Sequence, residues 1–124
     1  MHIIIADRDE ISAGRLGRIL KGLSTDAEIL HFSDPMYVVK YGLTNPVDML
    51  FTEVRMKPFP LDGLTLIQMM REKYPSVRCY VVTETENYIE QASAIRVNGY
   101  LLKPVSAEQI HRAMFEGSDA GDET

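Results

Sequence analysis

The side chains able to do chemistry recur at one kind of place in this chain, immediately after short apolar runs. Asp7 and Arg8 follow HIIIA, Glu53 follows MLFT, Thr83 and Glu84 end the run that opens near Arg78, and Lys103 closes YLL. Carboxylates are hard oxygen donors for a cation and acceptors of charge-assisted hydrogen bonds, while a threonine hydroxyl and a lysine ammonium supply donors. The chemistry on offer is the binding of charge by charge, provided that the fold brings the run ends together.

The spacing of the elements predicts that it does. The organising stretch is MLFTEVRMKPFPLDG, Met49 to Gly63: an apolar run, an acid where it ends, and a long proline-punctuated loop. Five apolar runs begin near His2, Ala27, Met49, Arg78 and Gly99, and the segments between them have helical rather than alternating spacing. This alternation predicts an α/β fold, a parallel sheet with helices on both faces. Ile3 to Ile5, Met49 to Phe51 and Tyr80 to Val82 are apolar throughout, as strands covered on both faces must be, whereas Glu28 to Phe32 is mixed. The second strand is therefore an edge, which gives the doubly wound five-stranded order 2-1-3-4-5 with its switch point between strands 1 and 3. Every polar residue named above then lies at a strand's carboxyl end, where such sheets place their sites.

The helical segments have readable faces and ends. Leu16, Ile19, Leu20 and Leu23 line one side of the first; Ser33, Asp34 and Pro35 start the second, whose inner face is expected to be Met36, Val39 and Leu43. Ile67, Met70 and Tyr74 line the third, which stops before Pro75. The fourth is expected to run from about Asn87 and to close at Asn98 and Gly99. Ser106 and Gln109 form a capping box opening the fifth, which buries Ile110, Ala113 and Met114. Asp9 and Glu10 suit the start of the first helix. The domain spans residues 1–116, and residues 117–124 read as a disordered tail or linker stub.

Composition narrows the function classes. A chain of 124 residues is one domain able to bury roughly two thirds of its unfolded surface. The single cysteine, Cys79, rules out an internal disulfide and points to a reducing, cytoplasmic setting. The first apolar run is too short for a signal peptide or membrane span. A net charge of -5 argues against direct nucleic-acid binding. His2, His31 and His111 lack zinc-site spacing, and ADRDEIS has no glycine with which to cradle a dinucleotide phosphate.

With ADRDE, VDMLFTEVRM followed by LDGL, VVT and YLLKPVSAEQI in view, the chain resembles the receiver domains of bacterial two-component response regulators over about Met1 to Met114. The resemblance implies a flavodoxin-like fold and a signalling rather than enzymatic role. In that family an acidic pair holds Mg²⁺, an aspartate ending strand 3 takes a phosphoryl group from a histidine kinase, a Ser or Thr and a Lys contact the phosphoryl oxygens, and a strand-5 aromatic reports the state. Carried over, Lys103 is the lysine, Pro104 the proline after a cis peptide, Thr83 the hydroxyl residue and, with Tyr100, the switch. The rest departs. Glu53 stands at the phosphoacceptor position, Arg8 replaces the second acid beside Asp7, Glu84 stands where a small residue is usual, and Lys57 to Pro60 lengthens the following loop by about two residues.

A guanidinium in the place of a ligand carboxylate puts a fixed positive charge where Mg²⁺ would sit, so metal binding is expected to be weak or absent, with Asp7 and Glu53 the donors if any. Arg8 is expected to pair with Asp7 and Glu53 instead. Glu53 brings one negative charge where a phosphoryl group would bring about -1.5 to -2, a partial mimic. The combined expectation is a pseudo-receiver that works through protein contacts without ordinary aspartyl phosphorylation. Its partners would be a histidine kinase or other signalling protein, an output domain that regulates transcription, and a second copy through about Asn87 to Met114. Two alternatives stay open: a receiver that is phosphorylated on another carboxylate, such as Asp7 or Asp9, with metal, and a purely structural interaction domain.

Overall fold

The computed structural model of the chain describes residues 1–115; the expected tail lies outside them. Five strands and five helices alternate: β1 (His2–Ala6), α1 (Glu10–Leu23), β2 (Glu28–Phe32), α2 (Pro35–Thr44), β3 (Met49–Thr52), α3 (Gly63–Lys73), β4 (Arg78–Thr83), α4 (Ile89–Ala94), β5 (Gly99–Leu102) and α5 (Ala107–Phe115). All strand pairs are parallel, in the order β2-β1-β3-β4-β5. The expected edge is at β2, where Leu30 and His31 are exposed while β3 is buried along its length.

Side-chain alternation along the strands splits the core in two. Ile3, Ile5, Met49, Phe51, Tyr80 and Val82 face α1 and α5, packing on Leu16, Leu20, Ile110 and Met114. Phe51 and Tyr80 stack there at 4.6 Å between ring centroids. Ile4, Leu50, Cys79 and Val81 face the other way, onto Val38, Leu66, Ile67 and Met70 of α2 and α3. The capping box of α5 is formed in both directions: Gln109 Oε1 accepts from the Ser106 N–H at 3.0 Å and Ser106 Oγ from the Gln109 N–H at 3.2 Å.

Two expectations fail. The inner face of α2 is Pro35, Val38 and Gly42, while Met36 and Leu43 are exposed. Gly42 turns the helix: a Cβ there would stand 2.9 Å from Met70 Cε, so the backbone of α2 itself packs against α3. The fourth helix ends at Ala94, well before Asn98 and Gly99, and the left-handed residue past its end is Arg96, at φ 59°. Asn98 instead ties the chain to β4, its Oδ1 accepting from the Cys79 N–H at 2.8 Å.

Candidate functional site

Parallel register brings the run ends together. Ala6 pairs with Thr52 and Thr52 with Val81, so Asp7 and Glu53 leave adjacent strands side by side, the Glu53 N–H donating to the Ala6 carbonyl at 2.9 Å. Lys103 follows β5, its N–H donating to the Thr83 carbonyl at 2.9 Å. From there its side chain reaches back past β4, and Nζ lies 2.9 Å from both Asp7 Oδ2 and Glu53 Oε1. The three side chains are only 9%, 6% and 15% exposed for Lys103, Asp7 and Glu53. The remaining carboxylate oxygens are taken by backbone: Asp7 Oδ1 accepts from the Asp9 N–H at 2.9 Å and Glu53 Oε2 from the Val54 N–H at 2.8 Å. All four oxygens thus have donors, which a buried charge cluster requires.

Burial pushes the Asp7 carboxyl above its ordinary range, with the Glu53 charge adding to it; the Asp9 N–H and the Lys103 ammonium offset this only in part. For Lys103 burial works in the opposite sense, but the hydrogen bonds and charges of Glu53 and Asp7 outweigh it and hold the ammonium above its ordinary value. The lysine is the fixed charge of the site, and the two acids compete for it.

Arg8 does not join them. The strand ends at Ala6 and the chain bends at Arg8, leaving Asp7 buried at the sheet's end and Arg8 exposed. The exposed Arg8 guanidinium donates to the Lys57 carbonyl and stands 6.0 Å from the centroid of the Phe59 ring. The expected Arg8 pairing with Asp7 and Glu53 is thus replaced by a Lys103 bridge. Arg8 and the lengthened loop, two separate oddities in the sequence, are in contact with each other. That loop is held from below by buried Met56 and by Phe59 and Leu61, which pack on the second core. Gly63 closes it, since a Cβ there would fall 1.9 Å from the Glu53 carbonyl oxygen.

Thr83 is buried at the end of β4. Glu84 is exposed, on the rim of a cleft of about 370 Å³ that Asp9, Ser12, Arg15, Lys103 and Pro104 also line. Asp9 caps α1, its Oδ1 accepting from the Ile11 and Ser12 N–H groups at 3.1 and 3.2 Å. Tyr100, half-buried, donates its hydroxyl to the Thr85 carbonyl at 2.6 Å and accepts from the Tyr88 N–H at 3.3 Å, tying β5 to the loop before α4. The Lys103–Pro104 peptide is cis, and so is Lys57–Pro58. Sequence reasoning missed the backbone donors of Asp9 and Val54, the closure at Gly63 and the carbonyl partner of Tyr100; only Gly63, which follows Asp62 at a helix start, left a signal.

This topology and this placement of Asp7, Thr83 and Lys103 define a class of protein. The sequence profile of the response regulator receiver domain matches residues 3–115, and the chain belongs to that family. Receiver domains are signalling modules that interact with kinases and other signalling proteins. No curated protein sequence matches the chain significantly. Its fold is shared with the response regulatory domain of protein mrkE from Klebsiella pneumoniae, with a TM-score of 0.82 at 24% identity over 91% of each chain. The receiver domain of a modulated diguanylate cyclase from Desulfovibrio desulfuricans G20 superposes at 0.78, with 19% identity over 90% of this chain and 88% of that one. The Salmonella typhimurium response regulator RcsB gives 0.78 at 21% identity, and there this chain's match covers 91% of its own length but 58% of the longer protein. Among the described residues no helix is long and apolar enough to cross a membrane.

Proposed function

We propose that this receiver works without aspartyl phosphorylation, held by an internal ion cluster in the state it presents to its partners. The observation that carries this reading is the Lys103 bridge: one ammonium at 2.9 Å from Asp7 and from Glu53, with every carboxylate oxygen already satisfied. Glu53 occupies the phosphoacceptor position and supplies the lysine with the partner that a modified aspartate would otherwise provide. Tyr100 is already tied to the Thr85 carbonyl, so the loop between the site and α4 is restrained without any modification.

The donor set does not fit a divalent cation. Mg²⁺ needs several oxygen ligands in near-octahedral array, and among the described residues no group of three or more His, Cys, Asp or Glu could hold a metal. The acid expected beside Asp7 is Arg8, and both remaining carboxylates face an ammonium. Glu84 adds bulk and like charge at the cleft through which a phosphoryl donor would approach. Asp9, a candidate substitute acceptor, is engaged in capping α1.

The partners on this reading are a signalling protein, histidine kinase or otherwise, and a second copy or output domain docking on the surface from about Asn87 to Met114. RcsB has been solved bound to DNA; for this chain, with its acidic balance, control of transcription would run through a separate output domain, in the cytoplasm. The test is intact-mass spectrometry after incubation with acetyl phosphate and Mg²⁺. Wild type stays unmodified, and the Arg8→Asp, Glu53→Asp variant gains one phosphoryl group. Metal-dependent modification of wild type would sink the proposal and return the chain to the working phosphoacceptors.

A further inference from the structure

α4 has the least of its own to hold it in place. It is six residues long, far below the length at which helices approach stability alone, and Ala92 is its one buried residue. Tyr88, at its N-cap, provides no side-chain hydrogen bond. Past its end Arg96 takes φ 59°, where glycine is the usual occupant. Ile89 on its first turn is 45% exposed.

Its two ends are held by side chains from other elements. At the near end the Tyr100 hydroxyl of β5 bridges the Thr85 carbonyl and the Tyr88 N–H. At the far end Arg71, in the last turn of α3, donates from one guanidinium nitrogen to the Ile95 carbonyl and from the other to the Arg96 carbonyl, the latter at 2.7 Å. The Ile95 carbonyl is that of the helix C-cap and the Arg96 carbonyl lies one residue beyond it, and a cation there also complements the helix dipole. Beyond them Asn98 is fastened to Cys79 through both its side chain and its own N–H, which donates to the Cys79 carbonyl at 2.7 Å. Between Thr85 and Asn98 the segment packs on the second core through Tyr88, Ala92, Ile95 and Val97, and Arg71 is its only charged tether to α3 among the described residues.

We propose that Arg71 is a positioning residue that anchors α4: its forked contact with the Ile95 and Arg96 carbonyls sets where the helix sits, so releasing this one side chain frees α4 while the sheet stays folded. The surface between α3 and β5 is then adjustable from α3 as well as from Tyr100 on β5. This goes beyond the reading of the site and does not depend on whether Glu53 can be modified.

The experiment is amide hydrogen exchange read by mass spectrometry on the whole chain, wild type beside Arg71→Ala, Arg71→Lys and Tyr100→Phe. Arg71→Ala is expected to accelerate exchange of residues 86–97 about ten-fold, the scale of a charge-assisted hydrogen bond lost from a local opening. α1 and β3 should keep their protection. Arg71→Lys should show a smaller acceleration, since an ammonium donates without the planar fork. Tyr100→Phe should loosen the same segment from its other end. Unchanged exchange at 86–97 in Arg71→Ala would overturn the proposal. So would acceleration spread evenly over the chain, which would make Arg71 a general packing residue; should the alanine variant fail to fold, the lysine variant makes the same comparison.

Discussion

One sheet carries the same trio, a base between two acids, at each of its ends. At the carboxyl end Lys103 lies between Asp7 and Glu53 at 2.9 Å from each, nearly closed to solvent. At the amino end His2 lies between Glu28 at 3.2 Å and Asp48 at 3.5 Å, with side-chain exposures of 35%, 73% and 52%. Neighbouring strand ends supply the two acids of the first set and all of the second, and the long Lys103 side chain crosses β4 to complete the first. What separates them is cover: the lysine and its acids are nearly closed off, whereas the histidine is partly exposed and its two acids largely so. In high dielectric the second trio has little leverage on the fold, whereas in the first each partner governs the others.

The comparison breaks most visibly on removing the base. Lys103→Met strands two buried carboxylates beside each other and should cost about 3 kcal/mol in urea unfolding at neutral pH, whereas His2→Ala should stay within about 0.5 kcal/mol. Equal losses would mean that burial is not the difference. Alkaline titration is the next test. Lys103 is held above its ordinary value of 10.5, so the stability it brings is whole below that pH and is lost as the pH rises through its higher folded value. The gap between wild type and Lys103→Met should therefore be flat from neutral up to that point and narrow beyond it.

A smaller effect of opposite sign is expected at Asp7. Its carboxyl is raised, so the fold disfavours the charged form, and the neutral form gives more stability at low pH, lost as pH rises through the folded value. Asp7→Asn, which keeps an acceptor for the Asp9 N–H, should raise the melting temperature at neutral pH, and the gain should fade as the pH approaches 3.8. The smallest effect is that of salt. In 1 M NaCl, where the Debye length is about 3 Å, any contribution of His2 should vanish while that of Lys103 changes little.

Where a residue's neighbours in sequence decide its place, the chain could be read directly. The apolar β1, β3 and β4, the mixed β2 and the Ser106–Gln109 box are local patterns, and with them came the sheet order and the carboxyl-end position of Asp7, Glu53, Thr83 and Lys103. What was misread depends on contacts distant in sequence. Leu43 looked like an inner residue, but Gly42, which has no side chain to count, is the one that meets Met70. α4 ends at Ala94 although Asn98 and Gly99 are better closers by type: Asn98 is bonded to Cys79 of β4, and the Ile95 carbonyl accepts from Arg71, 24 residues before it. Arg8 has the right charge for the pocket, but its partners, the Lys57 carbonyl and the Phe59 ring, lie some fifty residues on in the lengthened loop.

The closure at Gly63 has a consequence for engineering. The Gly63 N–H donates to the Val54 carbonyl at 2.8 Å, so the loop leaves and re-enters the domain at almost one point, and its span is a purse with a drawn string. Lengthening a loop whose ends are already pinned costs only about 0.6 kcal/mol per doubling. Foreign sequence spliced next to Pro60 would hang outside the drawstring, which makes this the natural port for a reporter peptide or a grafted binding segment.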